Sequence, residues 1–275
     1  MRRPEAAGRI DVPANRSRLM CLVAFAFKAH PCYRLIVAAN RDEFHGRPAE
    51  ALHWWPDRPD LVAGRDLQAG GTWLAVSRSG RFATVTNYRE DLSTRRGDRS
   101  RGELVTGFIA GAESPLDYCG NLELNAYAGF SLLTALSDGK SDEMAYVSNR
   151  GDHARRLPPG IYGLSNASLD TPWDKVLRSK AAMESLLATE TVGPEALFRL
   201  LADRDPAPTG DDVGAGLSPE IARAVSAPFI AADGYGTRCS TVLLIEHTGR
   251  VEIHERRFDN LGNAAGESRD EFQIG

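Results

Sequence analysis

Cysteine is scarce in this chain: four in 275 residues, at Cys21, Cys32, Cys119 and Cys239, with no Cys-x-x-Cys pair among them. That spacing excludes a zinc-ribbon or thioredoxin-type signature and offers no disulfide framework, so reduced thiols are expected. No apolar run approaches the ~20 residues of a membrane-spanning helix, and no span is expected. A formal net charge of −4 leaves no basic footprint for nucleic acid or an anionic membrane. The arginines that do cluster, Arg95, Arg96, Arg99 and Arg101, sit in a short Gly/Ser-rich stretch that reads as a solvated loop. The glycines match neither a Walker loop nor G-x-G-x-x-G. His30, His45, His53, His153, His247 and His254 show no metal-ligand spacing, so no metal and no required cofactor is expected.

What remains is the composition of an ordinary globular protein, 42% hydrophobic and 25% charged, with enough apolar residues for a sizeable core. Residues 1–19 are polar and patternless and are expected outside the fold, leaving a single domain over 20–275. Arg2–Arg3 ahead of "LMCLVAFAF" imitates a signal peptide. Glu5, Asp11, Pro4 and Pro13 in the leader oppose that reading, and a cytoplasmic protein is expected.

Four pairs of apolar runs read as hairpins: "CLVAFAFK" with "YRLIVAAN", "GGTWLAVSRSGRFATVTNY", "GFSLLTALSDGKSDEMAYVSN" and "TVLLIEHTGRVEIHERRF". Helices fall between them. Ser100-Arg101-Gly102-Glu103 is a capping box, and Ser114–Pro115 supplies an N-cap and a first-turn proline. From Pro172, Trp173, Val176, Leu177, Met183 and Leu187 keep helical spacing, broken only by Lys180. Glu195 to Asp203 and Pro219 to Val225 are two more short helices, and the acidic stretch between them is a linker. Hairpins separated by helices, without strand–helix–strand alternation, predict antiparallel sheets in an α+β domain. Strands apolar on both faces, such as "CLVAFAF", need cover from both sides, which predicts stacked sheets with helices outside.

Polar residues gather at strand ends in five places: Asn40-Arg41-Asp42-Glu43, Gly64-Arg65-Asp66, Thr86-Asn87-Tyr88-Arg89, Gly163-Leu164-Ser165-Asn166 and Tyr235-Gly236-Thr237-Arg238. Taken singly, each has a structural reading as a turn-former, a cap or a surface ion pair. Cys21 is different. An internal strand cysteine is usually a small buried hydrophobe. An amino-terminal cysteine carries an α-amine with a pKa near ~8, a general base beside its own thiol and so a complete activated nucleophile. Met20 directly precedes it. Translation starting at Met20, followed by removal of that methionine, is the expected route to an amino-terminal Cys21; removal of the leader and an inert Cys21 are the alternatives.

The blocks "MCLVAF", "YRLIVAANRDEFHGRP", "GGTWLAVS", "TNYR", "RGELV", "YGLSNASLDTPWDKV" and "YGTRCSTV" occur in order from Met20 to Val242. By these the chain resembles the NRDE family, also called the transport and Golgi organisation protein 2 family, whose members begin at Met-Cys. That family is similar to N-terminal-nucleophile hydrolases of the bile-salt hydrolase and penicillin acylase branch. The resemblance implies a four-layer αββα sandwich of two antiparallel sheets between helices. It also implies a catalytic set of Cys21, Arg41, Asp42 or Glu43, Asn87, Asn166 and Arg238, acting on a non-peptide amide. In that scheme Cys21 attacks a carbonyl, Asp42 or Glu43 holds the α-amine, Asn87 and Asn166 donate to the oxyanion, and Arg41 and Arg238 fix the thiolate. Asn40, Arg65, Trp73, Tyr88 and Tyr235 are the accompanying candidates for ligand contact. The family's association with haem trafficking and acyl-CoA homeostasis implies the alternative, a non-enzymatic carrier with haem or acyl-CoA as cargo.

Overall fold

The computed structural model describes residues 21–89, 97–189, 192–208 and 219–275; the leader, Arg95, Arg96 and most of the acidic linker lie outside them. In chain order the strands are β1 (Cys21–Phe27), β2 (Tyr33–Phe44), β3 (Ala49–Trp55), β4 (Arg58–Asp66), β5 (Leu74–Ser77), β6 (Arg81–Asn87), β7 (Phe130–Leu136), β8 (Glu143–Ser148), β9 (Arg155–Arg156), β10 (Gly160–Leu164), β11 (Ala231–Ala232), β12 (Tyr235–Glu246), β13 (Arg250–Phe258) and β14 (Ala264–Gln273). The helices are α1 (Gly102–Ala110), α2 (Pro115–Gly120), α3 (Asp174–Leu187), α4 (Pro194–Leu201) and α5 (Pro219–Val225).

The strands form two seven-stranded sheets. One runs β10-β1-β2-β12-β13-β14, with β11 attached to β12; the other runs β3-β4-β5-β6-β7-β8-β9. Their strand pairs are antiparallel. The alternation of strand side chains makes the layers. On β1 and β2, Val23, Phe25, Phe27, Leu35 and Val37 point into the space between the sheets and meet Val76, Phe82 and Leu133 of the second sheet. Ala24, Ala26, Ile36 and Ala38 point the other way, against Met183 of α3 and Leu197 of α4. The second sheet's outer face, Ala75, Ala83 and Leu132, is covered by Leu104 and Phe108 of α1. The expected αββα sandwich is therefore the observed one. The unbroken apolar run of β1 follows from its place as an inner strand covered on both faces.

All four expected hairpins are present: β1–β2, β5–β6, β7–β8 and β12–β13. Gly80, at φ +76°, makes the β5–β6 turn, and a Cβ there would stand 2.6 Å from the Ser137 carbonyl oxygen. Only half of the expected capping box forms: the Ser100 N–H donates to Glu103 Oε1 at 3.4 Å, whereas Ser100 Oγ accepts the Gly102 N–H at 3.3 Å and the N-cap of α1 is Arg101, which makes no side-chain cap. Lys180, the one break in the apolar face of α3, reaches Asp170 at 2.8 Å.

The fold also contains strands that the pattern does not disclose. β3–β4 is a fifth hairpin with prolines Pro56 and Pro59 at its turn end. β10 is short and half glycine-punctuated, yet it flanks β1. β14 is an edge strand so charged that it has no apolar face to read.

Candidate functional site

Antiparallel pairing brings distant segments to one end of the sandwich. β1 begins at Cys21, opposite Arg41 on β2, and Arg41 in turn lies opposite Cys239 on β12. β10 ends at Leu164, so Ser165 and Asn166 arrive beside Cys21; β6 ends at Asn87 on the facing sheet. A register shift on β12 between Thr237 and Cys239 leaves Arg238 as a bulge residue, which turns its side chain toward the end of β2.

Cys21 is half-buried and held by its backbone. Its N–H donates to Asn166 Oδ1 at 2.7 Å, and its carbonyl accepts from Ser165 Oγ at 2.6 Å. Asn166 is fully buried, and its Nδ2 donates to the Asn87 carbonyl at 2.8 Å. The Asn166 carbonyl accepts the Arg89 N–H at 2.8 Å. One asparagine thus ties β1, β6 and the end of β10 together. The side chain of Asn87 is half-buried and makes no hydrogen bond among the described residues.

The tetrapeptide 40–43 divides by strand alternation. Asn40 and Asp42 face the helices; Arg41 and Glu43 face the other sheet. Asn40 Nδ2 donates to the carbonyls of Leu201 and Pro228, at 3.0 and 2.8 Å, and its Oδ1 accepts from Ser240 at 2.6 Å. That is a structural clamp between β2, β12 and the end of α4. Arg41 lies over the Trp73 ring at 4.0 Å and 3.6 Å from Asp66 Oδ2, a carboxylate shared with Arg47 at 2.7 Å. Glu43 Oε1 accepts the Phe44 N–H, and its other oxygen faces Arg47 at 3.5 Å. Asp42 Oδ1 accepts from Thr237 Oγ1 at 2.6 Å, while the buried Oδ2 has no hydrogen-bond partner among the described residues.

Electrostatics follow from this burial. Desolvation pushes the Asp42 carboxyl up to about 7, against the opposing pull of Lys175 and of the Thr237 hydroxyl. Desolvation also pushes the Cys21 thiol up to about 12, aided by the Asp42 charge and opposed by the Asp42 N–H and by Arg41. Glu43 acts on the thiol less than Asp42 does. With Met20 attached, Cys21 is therefore a protonated, unreactive thiol at neutral pH.

Other sequence candidates fall elsewhere. Arg238 donates to the carbonyls of Phe44 and Arg47, at 2.8 and 3.0 Å, and so braces the end of β2 rather than touching Cys21. Arg65 faces the outer side of its sheet, paired with Asp57 at 2.7 and 2.9 Å and lying over Trp55. Its neighbour Asp66 is the residue that reaches Arg41. Tyr235 is buried edge-on against Phe44, at 5.3 Å. Tyr88 is half-buried next to Asn87, with its N–H on the Gly129 carbonyl. Ser165, Thr237 and Asp66, each a member of one of the polar strand-end blocks, lie beside these candidates, and so does Lys175, which carries no signal of its own in sequence. A cavity of about 400 Å³ lined by Arg81, Leu136, Lys140 and Ile274 lies at the opposite end of β6 from Asn87, away from Cys21.

The layer order is that of the N-terminal-nucleophile hydrolase fold. A solved structure, the Caenorhabditis elegans N-acylethanolamine-hydrolyzing acid amidase ortholog, shares it at a TM-score of 0.51 and 9% identity, over 82% of this chain and 92% of that one. Residues 20–260 match the family model described as Transport and Golgi organisation 2, and the chain belongs to that family. Relatives include the Homo sapiens transport and Golgi organization protein 2 homolog, 36% identical over 86% of this chain and 92% of the relative. The Drosophila melanogaster transport and Golgi organization protein 2 is 25% identical over 88% and 93%.

Proposed function

We propose that the protein is a cysteine N-terminal-nucleophile amidohydrolase that cleaves a non-peptide C–N bond through Cys21 once that residue is the amino terminus. The observation that carries this reading is the surround of the Cys21 nitrogen. Asn166 Oδ1 already accepts from it, and the buried Asp42, whose charge acts on the Cys21 thiol, keeps Oδ2 without a donor among the described residues. An internal amide has one hydrogen, which Asn166 uses; an α-ammonium has three.

In the proposed reaction the neutral α-amine takes the thiol proton and the thiolate attacks the amide carbonyl carbon. The side-chain amide of Asn87 donates to the oxyanion, a contact of the kind worth roughly 3–4 kcal/mol at the transition state. The ammonium returns its proton to the leaving nitrogen as the C–N bond breaks, leaving a thioester on Cys21. Water, deprotonated by the same amine, releases the acid and restores the thiol. Asn166 holds the amine, and Arg41 lowers the cost of the thiolate.

The test joins intact mass to turnover. A mass beginning at Cys21, with amide hydrolysis that disappears in Cys21→Ala, is expected; N-acylethanolamines are the first amides to try because of the shared fold. A functional protein whose mass begins at Met1 overturns the reading. Equal binding of haem or acyl-CoA by parent and Cys21→Ala, with no hydrolysis across an amide panel, replaces it with a cytoplasmic carrier.

A further inference from the structure

Two arginines among the described residues are buried to the same extent, Arg81 and Arg41, each 6% exposed. Burying a guanidinium is costly unless its charge is paired and its donors are used. Arg81 meets that demand within the protein, with Nε on the Phe108 carbonyl at 2.9 Å and Nη2 on the Glu113 carbonyl at 2.8 Å. Arg41 does not. Its ion pair with Asp66 Oδ2, at 3.6 Å, is too long for a hydrogen bond. That oxygen already accepts from Arg47 Nε at 2.7 Å, and Asp66 Oδ1 accepts the N–H groups of Gln68 and Ala69. None of the five N–H donors of Arg41 is hydrogen-bonded among the described residues.

Strand register puts those donors beside the thiol. Arg41 lies directly opposite Cys21 on β1 and Cys239 on β12, and opposite residues of an antiparallel pair project from the same face. Trp73 covers one face of the guanidinium, with Arg41 Cζ 4.0 Å from the ring centre. Stacking of that kind leaves the edges, where the N–H bonds point, uncovered. Toward the facing sheet, the guanidiniums of Arg41, Arg47 and Arg238 outnumber the carboxylates of Asp66 and Glu43. A carboxylate takes two donors edge-on in the plane of a guanidinium, and it brings the missing charge without displacing Trp73.

We propose that Arg41 is a specificity-determining residue that receives an anionic group of the substrate, so that the amide cut at Cys21 carries a carboxylate a few bonds from its scissile carbonyl. This names a substrate class for the function proposed above and rests on that reading of Cys21. The receptor is measurable without it, because Arg41 lies opposite Cys21 whether or not that residue is the amino terminus. No bond forms or breaks at Arg41.

The experiment alkylates Cys21 with a matched pair of reagents, iodoacetate and iodoacetamide, in protein whose mass begins at Cys21. Both form a carbon–sulfur bond with loss of iodide, and only the first carries a carboxylate. The exposed Cys32 of the same molecules is the reference. In the parent, the iodoacetate-to-iodoacetamide rate ratio at Cys21 is expected to exceed that at Cys32 by about tenfold. In Arg41→Met it should fall to the Cys32 value, and in Arg41→Lys, which keeps the charge but not the fork, it should lie between. Equal ratios at the two cysteines of the parent overturn the inference. So does an Arg41→Met that slows both reagents alike, because Arg41 then serves the thiolate alone. A Cys21 that labels no faster at the amino terminus than behind Met20, yet keeps the raised ratio until Arg41 is replaced, upholds the receptor and places the failure in the nucleophile reading. Should Cys21 not label, or Arg41→Met not fold, acetate titration of the parent at constant ionic strength decides. The Arg41 Nε–H signal in a nitrogen-15 spectrum, assigned by its absence in Arg41→Lys, must then shift saturably, and an unmoved signal sinks the proposal.

Discussion

The backbone N–H of Cys21 donates to the side-chain oxygen of Asn166 at 2.7 Å, across 145 residues of chain. Because Asn166 spends its other group on the Asn87 carbonyl, one buried amide sets the distance between the thiol-bearing strand and the facing sheet.

Asn166→Ala removes both bonds at once. Leaving a buried carbonyl and N–H unpaired costs about 1–3 kcal/mol, so thermal unfolding should stay cooperative at a lowered midpoint. Turnover at Cys21 should be lost beyond detection, since the amine has no acceptor to orient it. Melting by circular dichroism beside an amidase assay checks this, and a collapsed transition would assign Asn166 a structural role alone.

Thiol labelling separates the four cysteines. Cys32 is exposed, whereas burial pushes Cys21 and Cys119 each up to about 12 and raises Cys239 well above the ordinary range. A thiol near 12 is ionised to only about one part in ten thousand at pH 8. Iodoacetamide at that pH should therefore modify Cys32 first in protein that retains Met20, with the other three slow. In protein beginning at Cys21, its own amine takes the proton and Cys21 should label at a rate comparable to or above that of Cys32. Peptide mapping by mass spectrometry reads each site, and equal Cys21 rates in the two forms would contradict the base role of the amine.

Asp42 makes the fold pH-dependent in an unusual direction. In the unfolded chain it ionises near 3.8, in the fold at about 7. Between those values the folded state binds more protons, so this residue's contribution to stability falls as pH rises from about 4 to about 7 and is constant above. Asp42→Asn, an isostere of the protonated acid, should raise the unfolding free energy at pH 8 by roughly 1–4 kcal/mol, a gap that closes near pH 4. Amide hydrolysis should fall in the same variant. Urea unfolding at the two pH values measures the difference; a parent as stable as Asp42→Asn at pH 8 would show that the carboxylate is not held at a cost.

The layers of this fold were legible in sequence because its inner strands are apolar on both faces and its turns carry glycine at positive φ. β14 escaped because an edge strand with Glu267, Arg269 and Glu271 along it has no hydrophobic period. β3 and β4 escaped because Pro56 and Pro59 interrupt them. The site was legible as a set of rim segments and not as roles. Which of Asp42 and Glu43 faces the helices depends on the phase of β2, and only the pairing with β1 and β12 fixes that. Arg65 and Asp66 are adjacent in sequence, yet alternation sends the first outward to Asp57 and the second inward to Arg41. Lys175 reads as one more polar residue near a helix start until α3 is seen to lie against sheet strands.

Gly64 tests how the second sheet serves the thiol. A Cβ at this position would run into the Trp73 ring, closer than any real contact, and the nearest backbone atom, the Glu50 carbonyl oxygen, would be 3.2 Å away. Trp73 is in turn the surface on which Arg41 lies at 4.0 Å, and Arg41 is the cation that favours the Cys21 thiolate. Gly64→Ala must therefore displace the indole, at an overpacking cost of about 1–3 kcal/mol, and with it a cation–π contact worth about 1–2 kcal/mol at a desolvated site. The expected result is a folded protein, a lower melting midpoint, and alkylation of an amino-terminal Cys21 slowed several-fold at pH 7 but converging on the parent rate at high pH, where the thiolate needs no help. Arg41→Met should reproduce the slowing without the packing cost. If Gly64→Ala melts lower but labels at the parent rate across the pH range, Trp73 supports the sheet alone and Arg41 holds its place through Asp66.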